Sequence, residues 1–313
     1  MKAAVTLAPV FFMVLNGQLC RLKKWITPEQ KDGVNTVIFN ILFPMMIFNI
    51  LFTTDFSEDH LGIVTYVFFA FAFMILAGHM LCYLFPDRFS SLSPYLLTTT
   101  EGGNVALPLY TSIAGMQNAS NTVVFDIAGS LICFVIVPIL ISWKSASQTS
   151  LKGQLKVIFT NSFVLATLSG ILLNLLGIRG FLEQSAFWDL YKTAMSTVTA
   201  PIAPMILFVI GYNLSISKDS ISPILHLLAV RICLYLLVIG GFFLLFPERM
   251  AEPVYMIAVL IYFTCPTGFG IPAIISPIMK DESEKEFASA FISVHMIITL
   301  IVYTVIVLLG VGA

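Results

Sequence analysis

The chain has 313 residues, 58% of them hydrophobic and 11% charged, with a net charge of −1 and a mean hydropathy of +0.95. A soluble domain of this size carries roughly 25% charged residues, so a large soluble core is excluded and an integral membrane protein is expected. A near-neutral chain without a basic tail or stripe gives no footing for a nucleic-acid partner.

The N-terminal run "MKAAVTLAPVFFMVLNGQLCRLKK" has one lysine ahead of its apolar stretch, no clean small-x-small cleavage site, and its basic cluster after the apolar residues. It reads as a retained first membrane helix rather than a signal peptide. A helix needs about 20 apolar residues to cross a bilayer. Ten stretches qualify: spans 1 to 10 at residues 4–20, 34–54, 61–85, 92–115, 121–142, 157–177, 187–213, 221–246, 253–278 and 286–311. The longest polar connection is the one around 143–156, and little chain is left for a soluble domain.

Basic residues orient the spans. The connections after the odd-numbered spans hold Arg21, Lys23, Lys24, Lys31, Arg88, Lys144, Lys152, Lys156, Lys218, Lys280 and Lys285; the other side holds Lys2, Arg179, Lys192 and Arg249. The richer side is expected to be cytoplasmic, with both termini outside. Cys20, Cys82, Cys133, Cys233 and Cys265 lie in or beside apolar runs without a CxxC pair, so neither disulfides nor a metal centre is expected.

The halves of the chain echo each other in order. "PMMIFNI" at 44–50 matches "PMILFVI" at 204–210, offset 160; "LFPDR" at 84–88 matches "LFPER" at 245–249, offset 161. "NVALP" at 104–108 aligns with "GFGIP" at 268–272, offset 164, and "LNG" at 15–17 with "LSG" at 168–170, offset 153. Five spans per half is an odd number, so consecutive copies enter the membrane from opposite sides, an inverted repeat of the kind found in secondary transporters. The expected division is a first repeat at 1–142, a cytoplasmic linker at 143–156 and a second repeat at 157–313.

Spans 4 and 9 carry helix breakers at matching places. Pro108 deprives the Asn104 carbonyl of its donor, and Gly102 and Gly103 allow the chain to unwind. Pro272 does the same to Gly268, beside Pro266 and Gly270. In lipid such breaks survive only against protein or a water-filled cavity. The exposed N–H ends of half-helices favour anions and the carbonyl ends cations, so the paired breaks mark the expected binding site. Glu101 falls about 14 Å into span 4 and Arg231 about 15 Å into span 8, both near the midplane. A lone charge there is costly. Glu101 and Asp126 are therefore candidates to carry a coupling ion, and Arg231 to partner either carboxylate or an anionic substrate. His79, His226 and His295 read as buried, neutral imidazoles.

These features resemble the auxin efflux carrier family of bacterial and plant transporters over most of the chain. The resemblance rests on "LNGQLCRLKKWITPEQKDGVNTVIFNILFPMMIFNILFTTDF", on "GNVALPLY", on "APIAPMILFVIGYNLS" and on the arginine of "SPILHLLAVRICLYLL". It implies ten helices as five-plus-five inverted repeats, broken helices that cross, elevator-type movement, and an organic carboxylate as substrate. Asn104 and Pro108 match the family's first crossover, while Gly268 stands where plant members carry an asparagine. The expected site comprises Gly103, Asn104, Pro108, Arg231, Gly268 and Pro272 for substrate and Glu101 and Asp126 for a coupling proton or sodium ion, with no cofactor and no metal.

The expectation is thus an all-α integral membrane protein, not an enzyme. It would carry a small organic anion across the plasma membrane, in a bacterium the inner membrane. Its partners are the anion and the bilayer, with a homodimer left open. The rival readings are a sodium-coupled bile-acid-type carrier and a membrane sensor.

Overall fold

The structure, a computed structural model, describes residues 2–54, 58–84, 87–144, 162–213 and 221–309. Its first half runs through α1 (Lys2–Leu22), α2 (Pro28–Val37), α3 (Phe43–Thr53), α4 (Glu58–Met80), α5 (Ser93–Leu97), α6 (Leu107–Ala114), α7 (Ser120–Leu131) and α8 (Val137–Lys144). The second half holds α9 (Ser162–Leu175), α10 (Ile178–Glu183), α11 (Phe187–Thr199), α12 (Ile202–Asn213), α13 (Ile221–Leu245), α14 (Pro253–Thr264), α15 (Ile271–Ile275) and α16 (Glu282–Leu308). No strand occurs among the described residues. Of the linker expected at 143–156, residues 145–156 lie outside the described residues.

Among the described residues five helical runs are long and apolar enough to cross a membrane: Pro28–Thr53, His60–Met80, Phe187–Val209, Ile221–Leu245 and Ser283–Leu308. Ala8–Leu22, Leu165–Leu175 and Pro253–Thr264 are shorter apolar helices. In α13 the buried stripe Ile224, Leu227, Leu228, Arg231, Leu234, Tyr235, Val238 and Phe242 follows the helical period. Its opposite face is apolar too: Leu225, Leu236 and Leu237 are exposed, and Leu244 is 82% exposed. A helix that is apolar on both its packed and its open face is one solvated by lipid. The chain is a membrane protein.

Three prolines shape the helices in one way. Pro44, Pro108 and Pro138 each take the second position of an α-helix that follows a five-residue π turn, at Ile38–Leu42, Gly102–Ala106 and Ile132–Ile136. The residue before each proline donates five residues back: Phe43 to Ile38, Leu107 to Gly102, Val137 to Ile132. Proline lacks an N–H and crowds the carbonyl four residues earlier. One wide turn carries the ladder past that carbonyl without breaking the helix.

Two compact units divide the chain, and each takes segments from both halves. The first comprises residues 1–58 and 155–213, hence α1–α3 and α9–α12. In it α1 packs along α12, and α9 along α3. Gly17 lies so close to α12 that a Cβ would overlap the Phe208 carbonyl oxygen, and a Cβ at Gly170 would lie 2.9 Å from the Phe48 carbonyl oxygen. Beyond these contacts, Arg21 Nη1 donates to Tyr212 O at 3.4 Å, while Asn174 Nδ2 donates to Leu51 O, Phe52 O and Thr54 O at 3.0, 2.8 and 2.7 Å. The last carbonyls of α3 and α12 thus find side-chain donors where the helix ladder has run out.

The second unit comprises residues 59–154 and 214–313. Its core is an aromatic cluster in which Phe125 meets Tyr262 at 5.2 Å and Phe242 at 5.5 Å, and Phe242 meets Phe263 at 5.4 Å between ring centroids. Edge-on and tilted packing of this kind suits ring quadrupoles and keeps the helices that bear them rigid. All eight candidate site residues belong to this unit.

Candidate functional site: two interrupted helices

Helix α5 stops at Leu97, and Thr98–Glu101 run without helical structure before the π turn that leads into α6. Helix α14 stops at Thr264, and residues 265–270 are unwound before α15. The first interruption therefore lies just ahead of Gly102 and Gly103 rather than on them. The π turn explains the shift: it spans Gly102–Ala106, absorbs Pro108 and keeps the glycines helical. Pro272 sits in the second position of α15, where no N–H is missed.

Thr99 has φ +50°, a left-handed conformation rare for a β-branched residue. Such strain persists only where neighbours enforce it. Its carbonyl accepts from Arg231 Nη2 and from the Tyr235 hydroxyl, at 2.7 and 2.8 Å. Its own hydroxyl is buried without a hydrogen-bond partner.

The interruptions meet at Glu101. Its N–H donates to Pro266 O at 2.7 Å, and its carboxylate oxygen Oε2 accepts the N–H of Phe269. Thr267 Oγ1 donates to Leu96 O at 2.5 Å, tying the second interruption to the end of α5. A Cβ at Gly268 would lie 3.6 Å from Thr99 Oγ1 and 3.8 Å from Glu101 Oε2, so Gly268 belongs to the same contact. Glu101 is buried.

Asp126, on α7, packs against the start of the turn leading into α6. A Cβ on Gly102 would collide with Asp126 Oδ1 and come within 2.7 Å of the Tyr262 ring, so only glycine fits there. The Tyr262 hydroxyl donates to Asp126 Oδ1 at 3.2 Å. The N–H groups at the start of a helix favour negative charge. In the second interruption a carboxylate of the protein already meets a backbone amide: Glu101 accepts from Phe269.

Arg231 is fully buried on α13. Nη1 donates to Leu96 O, Leu97 O and Thr98 O at 2.9, 2.7 and 3.2 Å, and Nη2 to Thr99 O and Cys265 O at 2.7 and 3.4 Å. The donors expected for a carboxylate or a substrate thus go to backbone carbonyls at the ends of α5 and α14. Tyr235, one turn along, lies under the guanidinium at 4.4 Å.

Glu101, Gly103, Arg231 and Gly268 gather where the interruptions meet; Asp126 joins through Gly102, and Pro108 and Pro272 stand in the helices that leave it. The side chain of Asn104 lies outside the described residues; its backbone is part of the π turn. Thr98, Thr99, Tyr235, Tyr262 and Phe269 were not picked out from the sequence. The hydroxyl run "TTTE" and the Arg231–Tyr235 spacing of four are the signals that could have found them. Of the three histidines expected to be buried, His295 is, beside the end of α14; His79, whose Nδ1 lies 2.8 Å from Ile75 O, and His226 are exposed. Among the described residues no group of three His, Cys, Asp or Glu side chains is placed to hold a metal ion. No protein-family model matches the chain, and no curated protein matches it.

Proposed function

We propose that the chain is a secondary transporter of a small organic anion, similar to the auxin efflux carriers. It is built as ten spans in two inverted five-span repeats and lies in the plasma membrane with both termini outside. The observation that carries the reading is the pairing of two interrupted helices, one from each half, through Glu101, Pro266 and Phe269. Interrupted helices at corresponding places in two repeats are where such carriers bind their cargo.

Contacts in the first unit support the repeat. Gly17 and Gly170 are 153 residues apart, and the partners they touch, Phe208 and Phe48, are 160 apart. Arg21 and Asn174 repeat the 153, and their acceptors Tyr212 and Phe52 repeat the 160. Both offsets are those of the matched sequence motifs. A pseudo-two-fold that exchanges the halves predicts this reciprocity; shared helix chemistry does not. The elevator mechanism assigns the cargo to the second unit, which holds both interruptions, and the scaffold role to the first.

The cargo carboxylate would bind at the interruptions, with Asn104 and the freed amide of Phe269 as donors. Glu101 or Asp126 would carry the coupling proton or sodium ion. The test is uptake into proteoliposomes of labelled malonate, succinate, lactate, indole-acetate and taurocholate, with and without proton and sodium gradients. Saturable flux of a small acid, lost in Asn104→Ala, is expected. Strict sodium dependence with taurocholate as the preferred cargo would replace this reading by the bile-acid type. No flux from folded protein would remove it.

A further inference from the structure

Carbonyls at the end of a helix lack amide donors and attract positive charge. Two interrupted helices here bring five such carbonyl oxygens together: Leu96, Leu97, Thr98 and Thr99 from one, Cys265 from the other. We infer that these carbonyls form a cation-binding cage, and that the guanidinium of Arg231 is its tethered occupant and holds Glu101 in place. The oxygens lie 2.7–3.4 Å from Nη1 and Nη2 and come from segments 132 to 135 residues away and from one 34 residues away. No local turn could assemble them.

The cage is shaped for a flat cation. The Tyr235 ring lies 4.4 Å beneath the guanidinium, and its hydroxyl reaches Thr99 O at 2.8 Å and Thr100 Oγ1 at 3.0 Å. Thr267 closes the Leu96 side. Arg231 Nε is buried and makes no hydrogen bond, so the charge is met through the two terminal nitrogens and the carbonyl dipoles they touch. Without a cation these oxygens would face one another in a dry interior, where their repulsion is scarcely screened. The segment they would push apart is Thr98–Glu101. Arg231 is therefore a positioning residue: it sets the backbone from which Glu101 reaches Pro266 O and Phe269 N.

The inference is independent of what the protein transports, because its test needs no cargo. Arg231→Ala, purified in detergent, is titrated with guanidinium, sodium and tetramethylammonium chlorides at matched ionic strength while thermal unfolding is followed. The variant should unfold at lower temperature than the parent and regain most of the loss, saturably, with guanidinium. The parent should not respond, and tetramethylammonium should leave the variant unchanged. Recovery in every salt, or equal response of parent and variant, would overturn the cage. Arg231→Lys and Arg231→Met form a second pair of similar volume, which decides the matter if the alanine variant does not fold. The lysine variant should be the more stable, because the cage needs charge; a methionine variant as stable or more stable would overturn the inference.

Discussion

Replacing Thr99 by glycine should stabilise the protein and, on the proposed function, impair transport. A left-handed β-branched residue carries about 1–2 kcal/mol of strain that glycine does not. Removing a buried hydroxyl that makes no hydrogen bond returns about 1 kcal/mol of desolvation cost. Against this, glycine loses about 0.5–1 kcal/mol of backbone entropy on folding, and the buried methyl is worth about 0.8 kcal/mol. The carbonyl that Arg231 and Tyr235 hold is backbone and is retained. The balance favours the variant by about 1 kcal/mol, a rise of about 2–4 °C in thermal midpoint, readable in detergent from tryptophan fluorescence. Strain is kept at working sites because the strained geometry is the useful one. With glycine, the segment before Glu101 gains alternatives, and uptake should fall several-fold. A lowered midpoint would show that the neighbours do not strain Thr99. A raised midpoint with unchanged uptake would separate the strain from function.

The reciprocal contacts of the first unit give a matched pair of substitutions. Gly17→Ala and Gly170→Ala should each destabilise by about 1–3 kcal/mol through overpacking, Gly17→Ala the more, because its Cβ overlaps a carbonyl outright; thermal midpoints of the two variants check the order. Asn174→Ala strands three carbonyl oxygens and should cost about 1–3 kcal/mol. Arg21→Ala, at the corresponding offset, removes among its contacts the 3.4 Å bond to Tyr212 O and should also lower the midpoint. Tyr262→Phe withdraws the donor to Asp126 and should cost about 1–2 kcal/mol, again in thermal midpoint.

Much of this geometry is legible in the chain because it depends on backbone chemistry. Prolines and glycines in apolar runs announce where a helix ladder must be rearranged, and Pro108, Pro272 and Gly268 stand where the rearrangements occur. The details depend on partners far away in sequence. Nothing local in "TTTEGGNVALP" tells whether Pro108 will unwind its own glycines or be absorbed by the five-residue π turn ahead of it. The turn carries the Ala106 and Leu107 N–H groups to the Glu101 and Gly102 carbonyls, and the break falls at Thr98–Glu101. Depth along a helix places Arg231 level with Glu101, yet says nothing of direction. The guanidinium turns to carbonyls rather than carboxylates because two helix ends converge on its face of α13. The motifs recur at matched offsets in the sequence; that Gly17 and Gly170 lie against Phe208 and Phe48 depends on the packing.

On the proposed function, the internal charges set a condition on binding. Arg231 contributes one positive charge, held against backbone carbonyls, and Glu101 and Asp126, when ionised, two negative ones. A cargo carboxylate adds a third negative charge. Two like charges about 5 Å apart at an effective dielectric near 20 repel by about 3 kcal/mol, a more than hundredfold loss of affinity. Binding therefore requires that one of the two carboxylates be neutralised, by a proton or a cation. Glu101 is the one whose neutralisation also loosens a donor, since its carboxylate accepts the Phe269 N–H and a neutral group accepts it more weakly; Asp126 accepts from the Tyr262 hydroxyl. In Glu101→Gln the neutral amide is permanent, so uptake should persist and lose its dependence on the ion gradient, whereas Asp126→Asn should keep that dependence. Uptake measured with and without an imposed gradient compares them directly. Unchanged gradient dependence in Glu101→Gln would take Glu101 out of the coupling role, and loss of it in Asp126→Asn alone would pass that role to Asp126.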